Sequence, residues 1–237
     1  MPLNKSNGNM YEGWVTHQHS SLAGECAHKC NYCYIQSMAK HYPAVKARYS
    51  GPLRLIEKEF DVKYGKGKTI FIEHCNDLFA ADVPTEFIER ILAHCREWPE
   101  NTYVFQTKNP ERYLEGWCFP PKRILGTTIE TNHMIPQVSK APPPIGRFWA
   151  MEKVVGRKFI TMEPALSCDV DILVGWMVRI MPEFIAIGAD SKKRGLNEPS
   201  RKDVEELICL LRGAGIEVRL KANLARLIGK DNALWVD

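Results

Sequence analysis

Cys26, Cys30 and Cys33 fall within GECAHKCNYCYI, residues 24–35, a CxxxCxxC spacing. Three thiols this close in a chain long enough to build its core without staples point to metal ligation before core filling. A structural zinc site needs four closed protein ligands, and its usual marks, two CxxC pairs or a Cys2His2 set, are missing. Three thiolates suit a [4Fe–4S] cube, which keeps one iron without a protein ligand, open to bind and polarise a substrate or cofactor. Zinc stays open as the alternative, with His28 in the loop, or His17 and His19 before it, as the fourth ligand.

The elements that must hold this loop are legible as alternating periods. Short β-rich runs occur at 12–17, 68–73, 102–106, 122–128, 158–163, 183–188 and 216–220. Between them, Pro84 to Trp98 carries Phe87, Ile88, Ile91, Leu92 and Cys95 at helical spacing after a Pro suited to a first turn. Ser200 to Arg212 repeats the pattern with Val204, Leu207, Ile208 and Leu211, and Gly213 and Gly215 end it. Strands alternating with helices predict α/β architecture in one domain over residues 1–237: an open doubly wound sheet, or a full or partial (β/α) barrel of six to seven parallel strands. Both put function at the C-terminal strand ends. APPPIG, residues 141–146, reads as a stiff loop.

The 237 residues are 45% hydrophobic and 25% charged, the balance of a globular domain, with a net charge of only +4. Charge is uneven: nine basic residues against three acidic ones lie between Cys26 and Lys68. That stretch, with Tyr42 and Tyr49 interleaved, suits a phosphate backbone, against the plainer reading of a solvated helix face. Lys192, Lys193 and Arg194 add charge after the sixth strand. No signal peptide or membrane span is predicted, so the expected compartment is the cytoplasm, where thiols stay reduced. No Ser/His/Asp order, Walker loop, GxGxxG or HExxH appears, which leaves hydrolase and nucleotide triphosphatase readings without support.

With an aromatic, Tyr32, before the third cysteine, the motif resembles that of the radical S-adenosylmethionine superfamily. CAHKCNYCYI at 26–35, HCNDL at 74–78, FQTKN at 105–109 and RILGTTIET at 123–131 are similar in order and spacing to segments of spore photoproduct lyase, and to short phage-associated radical S-adenosylmethionine proteins of unknown substrate. The resemblance implies an enzyme of lyase or base-modifying type, with Cys26, Cys30 and Cys33 on a [4Fe–4S] cluster that cleaves S-adenosylmethionine reductively to a 5′-deoxyadenosyl radical for hydrogen-atom abstraction. It further implies Tyr32 beside the adenine, Lys108 on the cofactor's carboxylate, Thr128 on a hydroxyl, and Asn76, Asp77 and Glu130 as further cofactor-binding groups. Cys75 falls near the lyase's hydrogen-donating cysteine and Tyr34 matches a second aromatic of its relay; a buried small hydrophobe is the plainer reading of Cys75. The implied partners are a reductant such as flavodoxin or ferredoxin, a nucleotide or nucleic acid as substrate, and a companion protein.

No counterpart of the lyase's C-terminal DNA-gripping hairpin is found, and the substrate stays open. A noncatalytic iron–sulfur or zinc protein that binds nucleic acid, and an activase placing a glycyl radical on a partner, are the competing readings. Glu163, Asp190 and Lys221 are expected to face a barrel's pocket. Asp169 and Ser200 are expected as helix caps. Cys95 and Cys209 are expected in the core, with Cys118 and Cys168 undecided.

Overall fold

The computed structural model describes residues 3–6, 13–192 and 194–235, so Lys193 lies outside the described residues. Ten strands form: β1 (Asn4–Lys5), β2 (His17–His19), β3 (Leu22–Ala23), β4 (Arg54–Leu55), β5 (Thr69–Ile72), β6 (Thr102–Thr107), β7 (Arg123–Thr128), β8 (Lys158–Met162), β9 (Phe184–Ile187) and β10 (Glu217–Leu220). Eight of them make one sheet in the order β1-β2-β5-β6-β7-β8-β9-β10, parallel throughout except where β1 meets β2. Neither end of that order pairs with the other, so the seven parallel strands form a partial barrel. The expected first strand, 12–17, begins later, at His17; Gly13 turns the chain at φ +86° and residue 12 lies outside the described residues.

Between the strands run α1 (Tyr34–His41), α2 (Pro43–Arg48), α3 (Thr85–Arg96), α4 (Pro144–Lys153), α5 (Val170–Ile180) and α6 (Arg201–Gly213). Their apolar faces cover the outside of the sheet: Ile88, Ile91, Leu92 and Cys95 from α3, Phe148 and Met151 from α4, Leu173 and Met177 from α5, and Val204, Leu207 and Leu211 from α6. Ser200 caps α6 in a capping box with Asp203. Cys209 on the same helix is exposed rather than core, because the buried stripe takes the opposite face. Asp169 occupies the N-cap position of α5 but bonds Asn132 and His133 instead of the helix backbone. APPPIG is only half loop, since Pro144 opens α4, where its missing N–H costs nothing.

The period of two along each strand turns alternate side chains inward and stacks the interior in tiers. The floor is Phe71, Val104, Ile124, Phe159 and Phe184, with Trp14 edge-on to Phe159 and Phe184 at 5.4 and 4.9 Å. Trp14 precedes β2 yet reaches β9, which shows the sheet curling. Gly126 admits the Phe159 ring: a Cβ there would lie 2.2 Å from it. One tier up, Gln106 Nε2 donates to the hydroxyls of Thr128 and Thr161 at 3.0 and 2.8 Å. Above these, Lys108, Glu130, Glu163 and Lys221 form a charged rim at the C-terminal strand ends.

Candidate functional site

The loop between β3 and α1 is locked by backbone contacts that only its sequence permits. Gly24, at φ +103°, packs so closely on the 52–53 segment that a Cβ would lie 2.5 Å from the Pro52 carbonyl. The pairing of β3 with β4 holds the loop's entry. Asn31 N–H donates to the Val138 carbonyl at 2.9 Å, and Lys140 N–H to the His28 carbonyl at 2.7 Å. Ser139 Oγ lies 3.1 Å from Cys30 Sγ, and the Arg194 guanidinium donates to the Asn31 and Cys33 carbonyls.

This folding turns Cys26, Cys30 and Cys33 into one cavity of ≈ 220 Å³ at the C-terminal end of the barrel. Tyr32, Tyr34, Cys75, Asn76, Asp77, Lys108 and Thr128 line the same cavity, so ten of the eleven residues read from sequence as cluster, cofactor or hydrogen-transfer groups meet there, and Glu163 and Asp190 line it too. The eleventh, Glu130, stands directly behind two of them. Tyr32 Oη donates to Glu130 Oε1, Lys108 Nζ lies 3.3 Å from the same oxygen, and Arg147 donates to Oε2 at 2.7 Å. Burial pushes the Glu130 carboxyl up, but Lys108 and Arg147 outweigh it and hold its pKa at about 2. Lys108 Nζ also lies 5.2 Å from the centre of the Tyr32 ring. Glu130 therefore acts through its neighbours, setting the aromatic and the ammonium at fixed positions.

Asp77 and Asn76 are likewise committed to the protein. Asp77 Oδ2 accepts from His28 Nε2 at 2.7 Å and from Lys108 N–H at 2.7 Å, while Oδ1 accepts from Phe79 N–H at 3.0 Å. Burial opposes its ionisation, yet His28 and these donors keep its pKa below the ordinary value. Asn76 Nδ2 donates to the Gly24 carbonyl at 3.1 Å, tying β5 to the loop. Both residues position the cysteine loop.

Three thiols lining one cavity are the donor type that a cube takes. Among the described residues no three His, Cys, Asp or Glu side chains stand close enough to share one ion. A cube asks less, because its three cysteines bind three different irons. Of the fourth zinc ligands considered from sequence, His28 bonds Asp77 through Nε2 and His19 bonds the Tyr64 hydroxyl through Nδ1 at 2.7 Å, each using one ring nitrogen. His17 Nδ1 bonds Thr16 Oγ1 at 2.8 Å. Burial first, then Asp77, pushes the Cys26 thiol up to about 12, so ligation would have to release its proton.

On the β5 side, Cys75 Sγ lies 3.5 Å from Tyr34 Oη and 3.1 Å from His74 Nε2. Burial raises the Cys75 pKa, which keeps the thiol protonated. The wall beneath is Glu73, at φ +57° and 2% exposed. Its Oε1 accepts from Ser21 N–H, Ser21 Oγ and Leu22 N–H at 2.5, 2.8 and 3.0 Å. Burial outweighs those donors and raises its pKa to about 7.

Sequence reasoning missed Glu73, His74, Ser139 and Arg147. Only Glu73 and His74 carried a usable signal, being polar residues at a strand's C-terminal end. The basic stretch is partly structural: Arg48 pairs with Glu59 at 3.1 Å, Lys68 donates to the Tyr64 carbonyl at 2.8 Å, and Arg54 holds the Ala47 carbonyl at 3.0 Å. Tyr49 is half-buried, with its phenol's pKa raised by burial and then by Cys75, so of the two interleaved tyrosines only Tyr42, 58% exposed, is free to stack.

A family profile described as a protein of unknown function, DUF5131, matches residues 13–187. No curated protein matches the sequence. Spore photoproduct lyase complexed with dinucleoside spore photoproduct is similar at a TM-score of 0.56 and 14% identity, over 78% of this chain and 58% of that one. A cysteine-to-serine mutant of the lyase gives 0.63 and 13%, over 93% and 80%. Streptococcus suis SuiB bound to S-adenosylmethionine gives 0.53 and 9%, over 92% and 53%. The present chain thus spans little more than half the length of two of these three. The shared architecture is a partial barrel of parallel strands with helices outside. No described helix is long and apolar enough to cross a membrane.

Proposed function

We propose that this chain, which belongs to the DUF5131 family, is a radical S-adenosylmethionine enzyme that binds a [4Fe–4S] cluster through Cys26, Cys30 and Cys33. The observation that carries this reading is the convergence of those thiols with Tyr32, Lys108, Thr128 and the Cys75–Tyr34 pair on one cavity. When bound, the cluster and S-adenosylmethionine supply reductive cleavage to a 5′-deoxyadenosyl radical that abstracts a hydrogen atom from substrate.

The chain's own part is placement and hydrogen transfer. Lys108, held by Glu130, offers its ammonium to the cofactor's carboxylate. Tyr32 offers a ring fixed at its hydroxyl for the adenine. The linked hydroxyls of Thr128 and Thr161, 3.1 Å apart, suit a ribose. Cys75 S–H can give a hydrogen atom to a substrate radical, becoming a thiyl. Tyr34 O–H, 3.5 Å away, restores the S–H and becomes a phenoxyl. A one-electron donor of the flavodoxin or ferredoxin type, with one proton, returns the phenol.

For the substrate we favour a nucleotide or nucleic acid. Exposed Lys40, Lys46 and Lys192, with Tyr42, flank the loop and the cavity edge and suit a polyanion. The neighbouring lyase is complexed with a dinucleoside, which agrees with that choice.

The test is anaerobic reconstitution with iron and sulfide, followed by electron paramagnetic resonance of the dithionite-reduced protein. A full [4Fe–4S] complement whose signal shifts on adding S-adenosylmethionine, and which is lost in Cys30→Ala, is the expected result. A single bound zinc, or a cluster whose signal ignores S-adenosylmethionine, contradicts the proposal.

A further inference from the structure

The outer face of α5 differs from that of the other covering helices. An amphipathic helix on a sheet turns polar and charged residues to solvent, and α3 does so with Thr85, Glu86, Glu89 and Arg90. On α5 only Asp171 and Arg179 of the eleven residues are charged. Ile172, Gly175 and Val178 complete its exposed face, with Ile172 49% and Val178 48% exposed. The apolar surface continues into Trp149 on α4 and into Met181, 74% exposed, just beyond the end of α5. None of these residues lines the cavity that holds the cysteines.

Two features of this face point to what covers it. Glycine is a poor helix former, and the fold gives no reason for one at 175: a Cβ there would have no atom within 4 Å. A mid-helix glycine under open space suits the close approach of another backbone. The exposed positions are also symmetric about that glycine. Ile172 and Val178 stand three residues to either side of it, and Asp171 and Arg179 four. At 3.6 residues per turn all five share an arc of about 120° centred on Gly175.

A second α5 running antiparallel across Gly175 sets Asp171 of one copy level with Arg179 of the other, twice, and Ile172 level with Val178, twice. That is the self-complementarity a two-fold interface requires. Within one chain the two charges lie about 12 Å apart along the helix axis, too far to pair with each other. The Arg179 guanidinium holds Glu152 at 2.6 Å and packs on the Trp149 ring at 4.8 Å, which orients it without using all of its N–H groups.

We propose that α5 is the contact of an antiparallel two-fold dimer of this chain, centred on Gly175. A helix of this length, about 16 Å, with Trp149 and Met181 at its margin, buries less than the ~800 Å² per partner of a standard interface, so the association is concentration-dependent, at about the micromolar level. It does not depend on the chemistry of the cavity.

The test is sedimentation equilibrium of the full chain across a concentration series. A species of twice the chain's mass is expected to form in the micromolar range. Asp171→Arg and Arg179→Asp each set like charges against one another at the contact, and each is expected to weaken dimerisation at least about tenfold. An equimolar mixture of the two variants is expected to form a heterodimer, because every charge then meets its opposite; an effect confined to one chain cannot produce that rescue. Gly175→Leu, whose side chain starts into open space, is expected to leave the chain folded by circular dichroism and to abolish the dimer, and it keeps the proposal testable should Arg179→Asp not fold. A chain that stays monomeric up to about 100 μM overturns the proposal. So does a dimer that Gly175→Leu leaves intact, a pair of charge variants that fold yet do not associate on mixing, or a monomer that floats with phosphatidylcholine vesicles.

Discussion

The two halves of the cavity differ in how their polar groups are satisfied. On the cysteine-loop side, Asp77 holds His28 and the Lys108 backbone, and Glu130 holds Tyr32, Lys108 and Arg147, with both oxygens of each carboxylate engaged. On the side of β8 to β10, Glu163 Oε2 and Asn223 Oδ1 are buried without hydrogen-bond partners among the described residues. The first arrangement is preorganised, each ligand-facing group held by a second that never meets the ligand. The second retains unused bonding capacity.

If that contrast is right, substitutions on the loop side should cost stability and those on the far side much less. The largest effect is expected for Glu130→Ala, which strands Arg147, 1% exposed, as a buried unpaired charge. A loss of about 3–5 kcal/mol in urea denaturation is predicted; a loss below about 1 kcal/mol would break the comparison. Asp77→Asn should follow at about 2–3 kcal/mol, because three donors lose a charged acceptor, and iron retention after reconstitution should fall with it.

The pH dependence separates Glu73 from the other buried groups by sign. Glu130, held at about 2 against an ordinary 4.5, contributes fully above the latter value and loses its contribution as pH falls through 2. His19 and His74, lowered to about 4 from 6.5 chiefly by burial, likewise withdraw stability as pH falls between those values. Glu73 runs the other way. Its pKa is raised from 4.5 to about 7 by burial, so its penalty is absent at the low end and complete above the high end. Thermal unfolding of Glu73→Gln should therefore show a gain over the unaltered chain that grows from pH 4.5 to 7, up to about 3 kcal/mol. A constant offset across that range would show that the charge of Glu73 is not what is being removed. The smallest effect is expected for Asn223→Ala, which gives up one hydrogen bond to the Ala189 carbonyl and should cost about 1 kcal/mol.

The loop side was the more legible half in the sequence, and the reason is physical. Thiols that are to share a cluster must be close in space, and Cys26, Cys30 and Cys33 are also close along the chain, so their spacing alone draws attention to them. The parallel strands were equally plain, since hydrophobic runs bounded by helices repeat locally, and six of the seven appear within about two residues of their expected places. What stayed hidden depends on tertiary approach. Arg147 reads as an ordinary helix residue, and only the register of α4 against β7 brings it under Glu130. Gly188 reads as a strand-end glycine until Glu163, Lys221 and Asn223 are seen to fill its place. Cys209 shared its helix with a correct apolar stripe but lay on the wrong side of it.

The most direct test of the central claim is chromatographic detection of 5′-deoxyadenosine from S-adenosylmethionine after anaerobic reconstitution and dithionite reduction, comparing the unaltered chain with Cys30→Ala. Formation by the first and none by the second is the predicted result. A chain that assembles the four-iron cluster yet yields no 5′-deoxyadenosine, with or without nucleotides or oligonucleotides present, would contradict the account and leave the three cysteines as a structural or redox-sensing site.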